Sequence, residues 1–249
     1  MEISPDGKRI LYTTNYTGKP DDSDKFDIWV LSIKDKESVQ LTKRKGGEYS
    51  PKWSPDGKYV AFLAKEYPDI PYSQTDIFVI PSSGGKLNNI SRKFDRSIID
   101  IEWAKEGKSI FCNVANGFYT HIYKVDVKNG KVNPIIAKDL NITQFKLIHN
   151  GENLIYIQEM PDRLPDIFIS ESNGSSPNQL TYLNPDVENY RLAEQEVISY
   201  DSKDGLQIEA LLVKPYNFQK GKKYPLIVSI HGGPHSRTRN SLLSSIEFQ

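Results

Sequence analysis

A ten-residue phrase recurs along this chain. Ile3-Ser4-Pro5-Asp6-Gly7-Lys8-Arg9-Ile10-Leu11-Tyr12 returns as Trp53-Ser54-Pro55-Asp56-Gly57-Lys58-Tyr59-Val60-Ala61-Phe62. A degraded copy runs from Trp103 to Cys112, and a fourth from Ile148 to Tyr156. The shared glycines fall at 7, 57, 107 and 151. A second element follows each copy: Asp27-Ile28-Trp29-Val30, Asp76-Ile77-Phe78-Val79, His121-Ile122-Tyr123-Lys124 and Asp166-Ile167-Phe168-Ile169. A third closes the unit as Gln40-Leu41-Thr42, Asn89-Ile90-Ser91 and Gln179-Leu180-Thr181, and is weak in the third copy at Pro134-Ile135-Ile136.

Each unit reads as strands joined by turns. In Ser-Pro-Asp-Gly the proline presets φ, and Asp and Gly suit the positions after it. The flanking runs are short and rich in aromatic and β-branched residues. About four strands in ~45–50 residues is the signature of a propeller blade. No window before residue 180 keeps a helical period. The expectation is a mostly β chain: a partial β-propeller with about four blades visible, the first entered part-way, followed by the N-terminal strands of an α/β-hydrolase domain. Trp53 and Trp103 recur at one repeat position and belong in blade cores. Lys43-Arg44-Lys45 and Asp21-Asp22 read as solvated loops.

Composition removes several function classes. The chain has 249 residues, with 32 Lys+Arg against 32 Asp+Glu. That balance offers no electrostatic basis for binding nucleic acid or an anionic membrane. Cys112 is the only cysteine, so no disulfide framework or thiolate metal cluster forms. His121, His149, His231 and His235 show no metal-ligand spacing. No metal or cofactor is expected. No apolar run approaches the ~20 residues that span a bilayer. The N-terminus carries no signal peptide, yet it opens inside a repeat, so the expectation is a truncated start and an open question of cytoplasm or export. Sequons stand at Asn15, Asn89, Asn141 and Asn173.

The pattern changes near residue 185. Residues 186–196 are polar and read as a linker. Two apolar-alternating runs, Glu196–Asp201 and Leu206–Pro215, then flank an Asp204-Gly205 turn, which signals a hairpin. Next, Leu226-Ile227-Val228-Ser229-Ile230 reads as a strand buried on both faces of an α/β sheet. It ends in His231-Gly232-Gly233-Pro234, and residues 240–249 read as the start of a helix. The domain division expected is propeller blades over 1–185 and the start of the hydrolase domain over 186–249.

A strand ending in His-Gly-Gly after a leading hairpin is the oxyanion-hole element of α/β-hydrolases. Acyl transfer builds negative charge on a carbonyl oxygen, and preorganised backbone N–H groups stabilise it. Glycine lets the backbone approach the substrate and adopt positive φ. The His231 side chain is expected to brace the turn rather than serve as catalytic base.

Taken in order, propeller first and His-Gly-Gly-Pro after, the chain resembles the prolyl oligopeptidase family of serine peptidases. It is most similar to the acylaminoacyl-peptidase-like branch. The Ser-Pro-Asp-Gly-Lys blades also resemble those of the Tol-system propeller protein. The resemblance implies a serine-type peptidase acting on short peptides through an acyl-enzyme. It makes the Gly233 N–H the oxyanion donor, with Gly232, His231 and Pro234 shaping the turn, and leaves room for a homo-oligomer of the full-length protein. The family's nucleophile sits in Gly-x-Ser-x-Gly, which occurs nowhere in these residues. The family's Asp and His follow it. The expectation is therefore a fragment that is inert alone, whose parent is a peptidase. Two other readings compete. A non-catalytic Tol-like binding propeller leaves residues 196–235 unexplained. An esterase with His-Gly-Gly-Gly leaves the repeats and Pro234 unexplained. No Glu-Glu pair occurs, against the family's dipeptidyl-peptidase branch.

Overall fold

The computed structural model describes residues 1–15, 17–19, 22–233 and 236–242. Three sheets carry sixteen strands in four meandering units. The first is β1 (Glu2–Ile3), β2 (Arg9–Thr14), β3 (Asp27–Ser32) and β4 (Ser38–Gln40). The second is β5 (Glu48–Trp53), β6 (Tyr59–Lys65), β7 (Thr75–Pro81) and β8 (Asn88–Asn89). The third is β9 (Ile98–Trp103), β10 (Ser109–Asn116), β11 (Tyr119–Asp126) and β12 (Val132–Ile136). The fourth is β13 (Asn141–Ile148), β14 (Asn153–Met160), β15 (Arg163–Glu171) and β16 (Asn178–Gln179). Within each unit neighbours pair antiparallel, which makes four blades. A single parallel pairing, Thr120 with Asn141, joins the third blade to the fourth.

The repeated phrase is the turn between each blade's first two strands. Gly7 N–H donates to the Ser4 carbonyl at 2.9 Å and Gly57 to Ser54 at 2.9 Å, both glycines at φ +69°. The Asp6 and Asp56 carboxylates accept from the serine hydroxyl and from the lysine N–H two residues on. The serine hydroxyl in turn accepts from Arg9 or Tyr59 N–H at 2.9 Å. Ser202-Lys203-Asp204-Gly205 repeats this arrangement, with Gly205 N–H to Ser202 O at 3.0 Å. Successive turns also stack. A Cβ placed on Gly57 would lie 3.7 Å from Pro5, one on Gly107 3.8 Å from Pro55, and one on Gly151 3.3 Å from Lys105.

The second and third repeat elements explain each other. In blade two, the Ser91 hydroxyl accepts from Ile77 N–H at 2.9 Å and donates to Asp76 at 2.7 Å, while Asn89 donates to Asp76 at 3.0 Å. Blade four repeats this with Thr181, Ile167, Asp166 and Gln179. Each knot satisfies polar groups at a blade edge, buried in blade two and half-buried in blade four. Blade one departs: Gln40 bonds Asp27, but the Thr42 hydroxyl turns to the buried Glu48. Blade three has no Asp here; His121 occupies the position.

Core lies between blades rather than within them. Along β6, Val60, Phe62 and Ala64 pack with Leu11, Ile28 and Trp53, whereas Ala61 and Leu63 pack with Ile98, Ile101 and Trp103. Period-two alternation thus fills both faces of an inner blade. Trp53 and Trp103, 5% and 8% exposed, sit where the repeats place them. Each also ties blades together: Trp103 Nε1 donates to Lys52 O at 3.2 Å, and Trp53 N–H to Glu2 Oε2 at 2.9 Å. Arg44 corrects the reading of 43–45 as a solvated loop. Its guanidinium lies 4.1 Å from the Phe78 ring centroid and donates to Lys65 O at 3.0 Å.

After β16 come a short 3-10 helix at Pro185–Asn189 and the hairpin of β17 (Gln195–Asp201) with β18 (Gln207–Val213). The hairpin matches its sequence signal. The buried strand expected at 226–230 does not form. Leu226, Ile227, Val228 and Ile230 are 77%, 83%, 73% and 88% exposed and lie in no sheet. A strand buried on two faces needs neighbours on both edges, and no described strand lies beside it; the hairpin pairs only with itself. The α/β-hydrolase sheet is therefore absent among the described residues. The helix expected from 240 has only Leu242 in helical form among them.

Candidate functional site

The His-Gly-Gly turn sits at the end of the extended apolar run. His231, Gly232 and Gly233 are all exposed. The His231 Nδ1 lies 3.1 Å from the Gly232 carbonyl, a contact within the turn itself. Gly233 adopts φ +113°, a region open to glycine and strained for other residues. A Cβ there would stand 2.9 Å from Ser236 Cβ. The turn thus folds onto Ser236, an approach a side chain at 233 would block. Pro234, the fourth member of the expected site, lies outside the described residues, as does His235.

Beyond Ser236 the chain packs on the propeller, with Asn240, Ser241 and Leu242 buried. The connection from second to third strand spans 15–26 in blade one and 66–74 in blade two, but only 117–118 and 161–162 in blades three and four. These two tight turns form a low seat, and residues 237–242 occupy it. The Arg237 guanidinium donates from Nη1 to Gly117 O at 2.7 Å and to Tyr119 O at 2.8 Å, and from Nη2 to the Thr120 hydroxyl. Asn240 N–H donates to Phe118 O at 2.9 Å. The buried Asn141 side chain donates to Asn240 O at 2.9 Å, so the sequon at 141 is occupied in packing. Arg239 pairs with Glu159 at 3.2 Å, and Glu159 is 2% exposed.

The hairpin meets the same seat. Gln195 Nε2 donates to Pro161 O at 3.2 Å. A Cβ on Gly117 would lie 3.1 Å from Glu209 Oε2. Between these elements an open cleft of about 610 Å³ is lined by Tyr119, Asp139, Met160, Asp162, Gln195 and Asn240, among others. His231 and the glycines are not in its wall. Beneath it His121 stacks on Tyr119, centroids 6.0 Å apart. His121 Nε2 lies 2.8 Å from Lys138 O, and Nδ1 3.3 Å from the Asn116 amide nitrogen. Nε2 therefore carries the proton and Nδ1 accepts. Burial pushes the His121 pKa down and favours this neutral form.

The described residues contain no cluster of three or more His, Cys, Asp or Glu that could hold a metal ion. Burial raises the Cys112 thiol pKa, which keeps it unreactive. Sequence reasoning placed the turn but missed Arg237, Arg239 and Asn240. Their only signal was two arginines spaced by one residue in a short polar run, and nothing in that run names its acceptors.

Dipeptidyl-peptidase 5 of Porphyromonas gingivalis is 26% identical over 239 residues, 94% of this chain and 34% of that protein. The peptidase YuxL of Bacillus subtilis, itself uncharacterised, is 30% identical over 250 residues, 94% of this chain and 37% of its own length. The chain spans about a third of the length of these curated relatives. In fold, it superposes on Pyrococcus horikoshii acylaminoacyl peptidase with a TM-score of 0.73 at 21% identity, over 96% of this chain and 37% of that one. The family description for the TolB beta propeller domain matches residues 2–213. The chain has peptidases as relatives and belongs to the TolB β-propeller domain family.

Proposed function

We propose that this chain is the propeller and the first hydrolase segment of a serine-type peptidase that cleaves short peptides through an acyl-enzyme. The carrying observation is that similarity to peptidases runs over 94% of the chain, through the hairpin and the turn rather than the blades alone. The division is propeller blades over 1–185 and hydrolase start over 186–249. In this reading the Gly233 N–H is the oxyanion donor, Gly232 and Pro234 shape the turn, and the His231 ring braces it. Positive φ at Gly233 supports the role, because it is a backbone conformation open to glycine at a turn where a substrate must approach the main chain. The 249 residues contain no Gly-x-Ser-x-Gly, so they are inert alone: an oxyanion element without nucleophile and base cannot turn a peptide over. Leu226–Ile230 is then the strand whose neighbours the rest of the hydrolase sheet supplies.

The rival reading is a non-catalytic propeller that recruits a protein partner. It draws on the TolB family description but leaves the seat built for residues 237–242 without a purpose. A fluorophosphonate probe applied to lysate of the natural source, followed by capture with an antibody to this chain, separates the two. The expected result is a labelled band well above 28.4 kDa. An unlabelled band at that mass removes the peptidase reading and leaves the binding propeller.

A further inference from the structure

The exposed His231–Gly233 turn has no strand partner among the described residues, and its described hydrogen bond stays within the turn. Its placement on the rest of the molecule comes from the residues after it. Gly233 packs on Ser236, and Ser236 leads directly into Arg237. The Arg237 guanidinium then takes three acceptors of blade three: Gly117 O, Tyr119 O and the Thr120 hydroxyl. Two of these are main-chain carbonyls, Tyr119 in the β10–β11 pairing and Gly117 in the two-residue turn that closes it. A guanidinium presents donors in a planar fork, so three acceptors set its orientation as well as its position. Asn240 and the Arg239–Glu159 pair hold the chain just beyond.

We propose that Arg237 is a positioning residue, which sets the His231–Gly233 turn on blade three so that the propeller is part of the frame aiming the oxyanion donors. This rests on the peptidase reading above. Such donors act over 2.7–3.1 Å, and a misplacement of ~1 Å costs about 100-fold in rate. Arg237 touches neither nucleophile nor substrate in this role. Its loss lowers the rate of the chemical step and leaves substrate binding largely intact.

The test uses the full natural gene product carrying this chain, with Arg237→Ala, Arg237→Lys and Thr120→Val. Rates are read on a panel of dipeptide and N-acetylated amino-acid p-nitroanilides, together with fluorophosphonate labelling rate and thermal unfolding. Arg237→Ala is expected to lower kcat by about 10- to 100-fold with KM changed by less than about threefold. Labelling slows in parallel and the unfolding midpoint stays in place. Arg237→Lys recovers part of the rate through a single contact. Thr120→Val lowers kcat less, and adds little when combined with Arg237→Ala, because both act through one interaction. A kcat for Arg237→Ala within about twofold of the wild type overturns the role while leaving the peptidase reading intact. So does an unfolded Arg237→Ala beside a Thr120→Val protein of full rate. A wild-type protein that neither turns over the panel nor takes the label removes both.

Discussion

At the scale of single residues, Glu48 is the most consequential buried charge in the blades. It is fully buried, accepts from Thr42, and its Oε1 finds no donor among the described residues. Burial, helped by neighbouring Asp27 and opposed by the Thr42 hydrogen bond, raises its pKa from 4.5 to about 7. The folded state therefore prefers the protonated acid. Between pH 4.5 and 7 the folded chain binds the proton and the unfolded chain releases it, so this contribution to stability falls as pH rises. It is fully present below the unfolded value and lost as pH passes about 7, a swing of about 3 kcal/mol at most. Glu48→Gln is expected to flatten this slope and to stabilise the chain at pH 8. Urea titrations from pH 5 to 8 check it, and a variant with the wild-type slope would exclude Glu48 as its source. Gly57 gives a second test. Alanine meets no close atom there, with Pro5 3.7 Å away, so the cost is backbone strain at φ +69°. Gly57→Ala is expected to cost about 1–2 kcal/mol by denaturant titration.

At the scale of elements, the blades were legible in sequence because their signals are local. Ser54-Pro55-Asp56-Gly57 closes its turn with its own serine and aspartate, and Asp76 finds Asn89 and Ser91 within its own blade. Leu226–Ile230 is the opposite case. Its apolarity predicts a place between two strands, and no described strand lies beside it. Arg237 is illegible for a related reason: two of its three acceptors are main-chain carbonyls, which carry no sequence mark. Two predictions belong here. Phe62 is fully buried and stacked on Phe78 with centroids 5.7 Å apart, so Phe62→Ala is expected to destabilise by about 3–5 kcal/mol in thermal or denaturant unfolding. Trypsin on the 249-residue chain is expected to cut first at Lys220, Lys222 or Lys223, which are exposed and outside any strand. Mass spectrometry reads the site; first cuts inside the blades would contradict the described packing.

Across the whole molecule, contacts pass from each blade to the next, and the described residues after the His-Gly-Gly turn bond to blades three and four. The stacked turns show what such a scheme permits. Gly57 rests on Pro5 and Gly107 on Pro55, so one copy of the phrase carries the proline of one joint and the glycine of the joint before it. A stretch of fifty residues duplicated in frame would arrive with both halves of a working joint already written into it. It would need no compensating change in its neighbours. The joint to Gly151 keeps the glycine but has lost the proline, with Lys105 in its place, and there the repeat shortens to forty-four. Repeat length and joint thus go together: the spacing stays at fifty where glycine meets proline, and changes where lysine stands in the proline's place.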